Sequence, residues 1–387
     1  MLLFLFKSNQ YISDAYYCTN VITQLTYGDI PMFTGPFLIE REELRKLFNL
    51  VVSMGYKVIG PKVVNEVIRL EYLGSYDEFA SGVEDVQKPG SYRLRSGRFY
   101  RHGPDSPKRY LYPSNLTLFK ITKDWKVELP KYEEIKLAFF GIKPCDLASI
   151  IIMDRVQGNL GDEYYLKLRR NLITIVENCI EPGDTCFCAT MGTGPKVRTG
   201  FDIAYTQLSS KDLLVIEAGS EIGAKLISNL NLRPIDNDTY SEYVKLIEEA
   251  YKRAKAPFEL NNLPEILEMK IQSSIFKEIA ERCIGCANCN MVCPTCFCFD
   301  IIDVPELDGS AKRVRVWDGC LNYTYAEVAG GHFRPDLWAR YRHWLLHKFV
   351  YWIKQFGTFG CVGCGRCITW CPVGIDIRDV ISRLLKR

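Results

Sequence analysis

The sequence predicts an α+β protein, with a mixed α/β domain over residues 32–260 followed by a domain over residues 261–387 in which helices accompany two cysteine runs. Three observations lead there. Between residues 40 and 255, segments with apolar residues at helical spacing alternate with short β-branched runs. Residues 257–264, with Pro257, Asn261, Asn262 and Pro264, have the composition of a linker. Beyond it the pattern Cys-x2-Cys-x2-Cys-x3-Cys-Pro occurs twice.

Residues 40–54 carry apolar positions at helical spacing, and 57–60 with 63–70 are β-branched strand segments. Gln87-Lys88-Pro89-Gly90 is a strong turn that opens a hairpin running to Tyr100. Residues 101–113 are polar and proline-containing, which predicts an exposed loop. A βαβ unit follows: strand 136–142, helix 146–156, strand 172–176. Its strands are expected to be parallel, so their carboxyl ends share one sheet edge, with Cys145 and Cys179 just beyond them. Strands at 201–208 and 213–218 and a helix at 241–255 complete the domain, and a helix over 265–282 leads into the first cysteine run. Between the runs lies an insert, 294–360, predicted to be helical from the spacing in its later part, 336–356.

An apolar share of 47%, a charged share of 25% and a net charge of +3 over 387 residues are those of an ordinary globular chain, and point to neither a nucleic-acid nor a membrane partner. Arg340, Arg342, Lys348 and Lys354 interrupt the most apolar late segment, so no membrane span is predicted. The apolar start is ended by Lys7 without a basic region before it, which predicts no signal peptide, and residues 1–31 read as a variable extension. Sixteen cysteines, eight of them at spacings that require thiolates, place the chain in a reducing compartment, the cytoplasm.

The first run is Cys283, Cys286, Cys289 and Cys293 before Pro294; the second is Cys361, Cys364, Cys367 and Cys371 before Pro372. Three closely spaced thiolates can wrap three corners of a 4Fe-4S cubane, while the fourth cysteine, beside proline, turns toward the neighbouring cluster. Cross-ligation follows: Cys283, Cys286, Cys289 and Cys371 hold one cluster, and Cys361, Cys364, Cys367 and Cys293 the other. Zinc sites favour paired Cys-x2-Cys units instead. Gly285, Gly363 and Gly365 leave room for backbone amides to approach the sulfurs. Two adjacent one-electron centres make a wire, and no dinucleotide or Walker fingerprint supplies an end to it.

Cys145, Cys179, Cys186 and Cys188 are a candidate third iron–sulfur site, the alternative being buried cysteines that pack as small hydrophobes. Cys296, Cys298 and Cys320 number one fewer than a cubane requires and are expected to pack or to support the clusters; Cys18 has no assigned role. His343 and His347 stand four apart as a metal pair would, but without the glutamate of His-Glu-x-x-His, and read as a mixed helix face. The loop Gly192-Thr193-Gly194-Pro195 has the glycines of a phosphate cradle and equally those of a plain turn.

The long insert makes the C-terminal domain similar to the α-helical ferredoxins, in which helices separate the two runs. From about residue 87 onward the chain resembles the β subunits of cytoplasmic nickel–iron sulfhydrogenases and the related A subunit of anaerobic sulfite reductase. The segments that carry this are QKPGSYRL (87–94), GIKPCD (141–146), CFCATMGTGP (186–195), the first run through Asp300, WDGC (317–320), AGGHFR (329–334) and the second run through Asp376. The resemblance implies a relay without an active site of its own, standing between a flavoprotein subunit that handles NAD(P)H and a nickel–iron hydrogenase module or, in the alternative, sulfite-reducing subunits. A further alternative is a stand-alone iron–sulfur oxidoreductase with a flavin or substrate site near Cys145 and the Gly192 loop.

Overall fold

The computed structural model describes residues 35–132, 134–208 and 212–386; the extension 1–31, with Cys18, lies outside the described residues. An eight-stranded sheet forms the first layer, in the spatial order β12-β1-β11-β10-β9-β8-β2-β3. Its strands are β1 (Phe37–Glu40), β2 (Lys57–Val64), β3 (Val67–Tyr72), β8 (Leu137–Ile142), β9 (Leu172–Glu177), β10 (Ile203–Gln207), β11 (Leu213–Ala218) and β12 (Arg233–Pro234). The four central strands β2, β8, β9 and β10 are parallel, and the flanking pairs are antiparallel.

Every residue of β8 and β9 is buried, because helices and loops cover both faces. That is why both read as continuous apolar runs rather than alternating ones. Ile39, Phe48, Phe140 and Ile175 belong to the core on one face, and Phe139, Ile150, Met153 and Val176 to that on the other. The crossover helix Pro144–Leu160 starts with Pro144 in its first turn, and the Asp146 carboxylate accepts from the Lys143 amide at 3.4 Å. Gly161, at φ +66°, ends it.

The hairpin of β4 (Val83–Lys88) and β5 (Ser91–Ser96) turns at Pro89-Gly90 and lays its tip on the second cysteine run. The Gly90 amide donates to Ile368 O at 3.1 Å, and a Cβ on Gly90 would come within 3.0 Å of Cys371 O. Tyr92 stacks on Trp370 with ring centroids 4.9 Å apart.

Two expectations are corrected. Residues 101–113 do not form an exposed loop: Arg101, His102, Ser106, Lys108, Leu111 and Tyr112 are buried. Arg101 donates to the Asp85 carboxylate and to Glu181 O, and Lys108 to Met291 O of the second region, so polarity here marks internal partners and not solvent. The insert is helical only in its second half. Its first half is a hairpin, β13 (Phe299–Pro305) and β14 (Ala311–Trp317), and β14 also pairs with β6 (Asn115–Ile121), which in turn pairs with β7 (Val127–Glu128). Val314 and Val316 alternate with Arg313 and Arg315, Asp308-Gly309 makes the turn, and Asp303 pairs with Arg313 across the ladder at 2.7 Å. The second half runs as helix Leu337–Leu346, a π-helical stretch His347–Tyr351, and helix Trp352–Phe356. No described helix is long and apolar enough to cross a membrane.

Candidate iron–sulfur centres

The helix Ile275–Arg282 ends at Cys283, and the chain then wraps through Gly285 and Ala287, both with positive φ. Cys283, Cys286 and Cys289 line one apolar cavity together with Cys371 from the second run, and Leu321, Tyr341, Trp344 and Ile375 form part of its wall. The Ile375 amide donates to Cys371 Sγ at 3.3 Å. Tyr341 Oη and Trp344 Nε1 are buried and have no hydrogen-bond partner among the described residues. Orphaned donors beside four thiols are what a bound group with sulfide acceptors would satisfy, so these residues fit a 4Fe-4S cluster.

Around the second run the surroundings are polar. Cys293 lies within electrostatic reach of Cys361, Cys364 and Cys367, and Cys367 also touches the first cavity. The Cys296 thiol and the Lys348 ammonium, whose Nζ donates to Cys293 Sγ at 3.0 Å, hold the Cys293 thiol well below its ordinary range. The Gly363 amide donates to Cys361 Sγ at 3.4 Å. Arg366 is fully buried; its Nη2 forms an ion pair with Asp146 Oδ1 at 2.8 Å, and its charge bears on Cys364. Buried thiols otherwise titrate high, as burial does to Cys361, pushed up to about 12. Here cations favour the charged sulfur that a cluster ligand must be.

The α/β domain packs its own cysteines onto this second site. Cys145 follows β8 at the start of the crossover helix and Cys179 follows β9, while Cys186 lies in the next loop and Cys188 opens the short helix Cys188–Met191. Cys145 and Cys188 share one buried cluster with Val362 and Cys364, and Cys186 Sγ is 3.7 Å from Cys364 O. Cys179 lies within electrostatic reach of both Cys186 and Cys188. Gly363 and Gly365 allow this approach: a Cβ on either would sit about 2.5–2.6 Å from backbone atoms of Phe187 or Thr185. Both glycines have positive φ. They therefore serve the contact between the two regions as well as access of amides to sulfur.

Other candidates come out differently. The Gly192–Pro195 loop is turned toward protein, with Thr193 Oγ1 donating to Val362 O at 2.6 Å and Gly194 against Cys188 Sγ. His343 and His347 stack 5.6 Å apart; His343 faces Tyr325 and His347 meets Gln355 Oε1 at 3.2 Å. Burial first, then neighbouring cations, push both imidazoles down to about 4, so they are neutral packing groups. Sequence reasoning missed Lys108, Tyr341, Lys348 and Arg366 as partners of the sulfurs. Only Arg366, inside the second run, carried a positional signal.

Residues 282–375 match the family model of the 4Fe-4S dicluster domain. The chain is 32% identical over 351 residues to sulfhydrogenase 2 subunit beta of Pyrococcus furiosus, covering 89% of this chain and 97% of that protein. An iron–sulfur electron-transfer role follows from the domain and the relative together. The two-run geometry, the dicluster match and the near full-length identity converge, and the chain belongs to the family of sulfhydrogenase beta subunits.

Proposed function

We propose that this chain is the relay of a cytoplasmic complex, passing electrons between a flavoprotein subunit that handles NAD(P)H and a nickel–iron hydrogenase module. The observation that carries the reading is the interleaving of the two runs: Cys371 lines the cavity of the first run, and Cys293 reaches the sulfurs of the second. Cys283, Cys286, Cys289 and Cys371 hold the first 4Fe-4S cluster in this reading, and Cys361, Cys364, Cys367 and Cys293 the second. Each cluster supplies reversible one-electron storage when bound. The protein's part is to hold the two side by side, exclude water from the apolar cavity, and set charge around the second.

The same reading makes Cys145, Cys179, Cys186 and Cys188 a third cluster site, supported by their grouping around Cys364, which extends the wire into the α/β domain. The relative's hydrogenase membership favours hydrogenase over sulfite-reducing partners. The test uses the assembled complex carrying Cys364→Ser. NAD(P)H-driven H2 evolution is expected to fall at least 100-fold, while dye reduction by NAD(P)H and dye-linked H2 oxidation each persist. Unchanged coupled turnover with the second cluster absent would overturn the relay.

A further inference from the structure

Three cysteines outside both runs and outside the N-terminal four converge at the open end of the β13–β14 hairpin. Phe299 pairs with Trp317 at that end, and the Asp318 amide donates to Cys298 O at 3.0 Å. Cys298 and Cys320 therefore leave the hairpin near one another, and Cys296 stands two residues before Cys298. Asn290 from the first run ties them together: its Nδ2 donates to Cys320 Sγ at 3.3 Å and to Cys296 Sγ at 3.7 Å. Gly319 is needed for this, since a Cβ there would fall 2.8 Å from Asn290 Cβ.

The second observation is a cation. Lys108 is buried, at 5% exposure, and its ammonium meets Met291 O and Cys296 O at 3.2 Å, Asn290 O at 3.5 Å and the Trp317 ring at 3.9 Å. Among the described residues no carboxylate pairs with it. A buried ammonium held only by carbonyls and a ring face lacks the anion that repays its desolvation. The sulfurs of Cys293, Cys296 and Cys298 lie within its reach. Cys293 belongs to the second cluster, and Cys296 and Cys298 are the further sulfurs beside the ammonium.

We propose that Cys296, Cys298 and Cys320 hold a further iron–sulfur cluster, with Lys108 and the Asn290 amide balancing its charge. A polynuclear centre is the class that fits. Among the described residues no three Cys, His, Asp or Glu side chains close tightly enough on one point for a lone ion, the motif cysteines included. Three thiolates leave one corner of a cubane without a cysteine ligand. The contact between Cys296 and Cys293 puts this centre next to the second cluster.

The test is native mass spectrometry with iron and acid-labile sulfide counts on full-length protein purified anaerobically with its clusters. Cys298→Ser and Cys320→Ser are each expected to remove one cluster, about four irons and four sulfides per chain, and to leave the electron paramagnetic resonance of the two motif clusters in place. An unchanged iron count in both folded variants overturns the site. Should the serine variants not fold, the double variant Cys186→Ser/Cys188→Ser decides, because it removes the candidate N-terminal cluster and leaves the hairpin thiols intact. Three clusters remaining support the hairpin site, and two overturn it. Neither count depends on which partner subunits the relay serves.

Discussion

The two run-bearing sites have the same cysteine spacing and different surroundings. The first is enclosed by Leu321, Trp344 and Ile375, with the orphaned neutral donors of Tyr341 and Trp344 in its wall and one buried cation, Arg340, bearing on Cys283. The second is flanked by two buried cations, Lys348 on Cys293 and Arg366 near Cys364, and is overlaid by the α/β domain. Spacing selects the cluster type, but surroundings set its potential: a cation stabilises the reduced, more negative cluster, whereas an apolar wall disfavours it. The second cluster is therefore expected at the higher potential of the pair, so that an electron delivered to the first runs downhill to the second.

The largest effect that can break this comparison is loss of a shared ligand. Cys293→Ser is expected to abolish the signal of the second cluster, although Cys293 belongs to the first run, and Cys371→Ser is expected to abolish that of the first. Redox-poised electron paramagnetic resonance on each variant reads this directly; loss of the cluster of the variant's own run in both cases would refute cross-ligation.

Next in size is the charge itself. At an effective dielectric near 20, one unit charge about 6–15 Å from the centre of the cluster is worth about 1–3 kcal/mol. For a one-electron couple that corresponds to roughly 50–130 mV. Lys348→Met is therefore expected to shift the second potential downward by about that much, leave the first within about 20 mV, and narrow or invert the gap. A redox titration in which both potentials move together would mean that the two sites do not differ in the way their surroundings suggest.

How much of this was legible beforehand follows from where the determining physics acts. The β8–helix–β9 unit, the Pro89-Gly90 turn and both runs are local: hydrophobic period, turn residues and cysteine spacing act within a dozen residues. The burial of residues 101–113 is not local, because Lys108 is solvated or buried according to whether the first run lies above it, and that is decided some 180 residues later. Lys348 likewise reads as a break in an apolar helix until Cys293 is placed beside it. The β13–β14 hairpin was readable from Asp308-Gly309 and the valine–arginine alternation, yet its neighbours' helical spacing outweighed that shorter signal.

A smaller effect tests the contact between the regions. Gly363→Ala forces a Cβ to about 2.6 Å from Phe187 backbone atoms at a φ of +63°. It is expected to cost roughly 1–3 kcal/mol, seen as a lower unfolding temperature of the cluster-loaded protein and faster loss of the second cluster to chelators, with the first cluster's loss rate unchanged. Equal acceleration of both would show that the α/β domain supports the two sites alike.

The smallest predicted effect probes a neutral donor in the first site's wall. If the orphaned Tyr341 hydroxyl donates to the first cluster, Tyr341→Phe removes a single neutral hydrogen bond without emptying space in the wall. Such a bond is worth about 0.5–1.5 kcal/mol, or roughly 20–65 mV for a one-electron couple. Because the donor favours the more negative, reduced state, its removal is expected to lower the first potential and widen the gap, opposite in sense to Lys348→Met. The double variant should then show additive shifts, since the two groups act on different clusters. A shift in the second potential from Tyr341→Phe would place the hydroxyl on Cys367, which touches both sites, and would make that sulfur the point where the apolar and the charged surroundings meet.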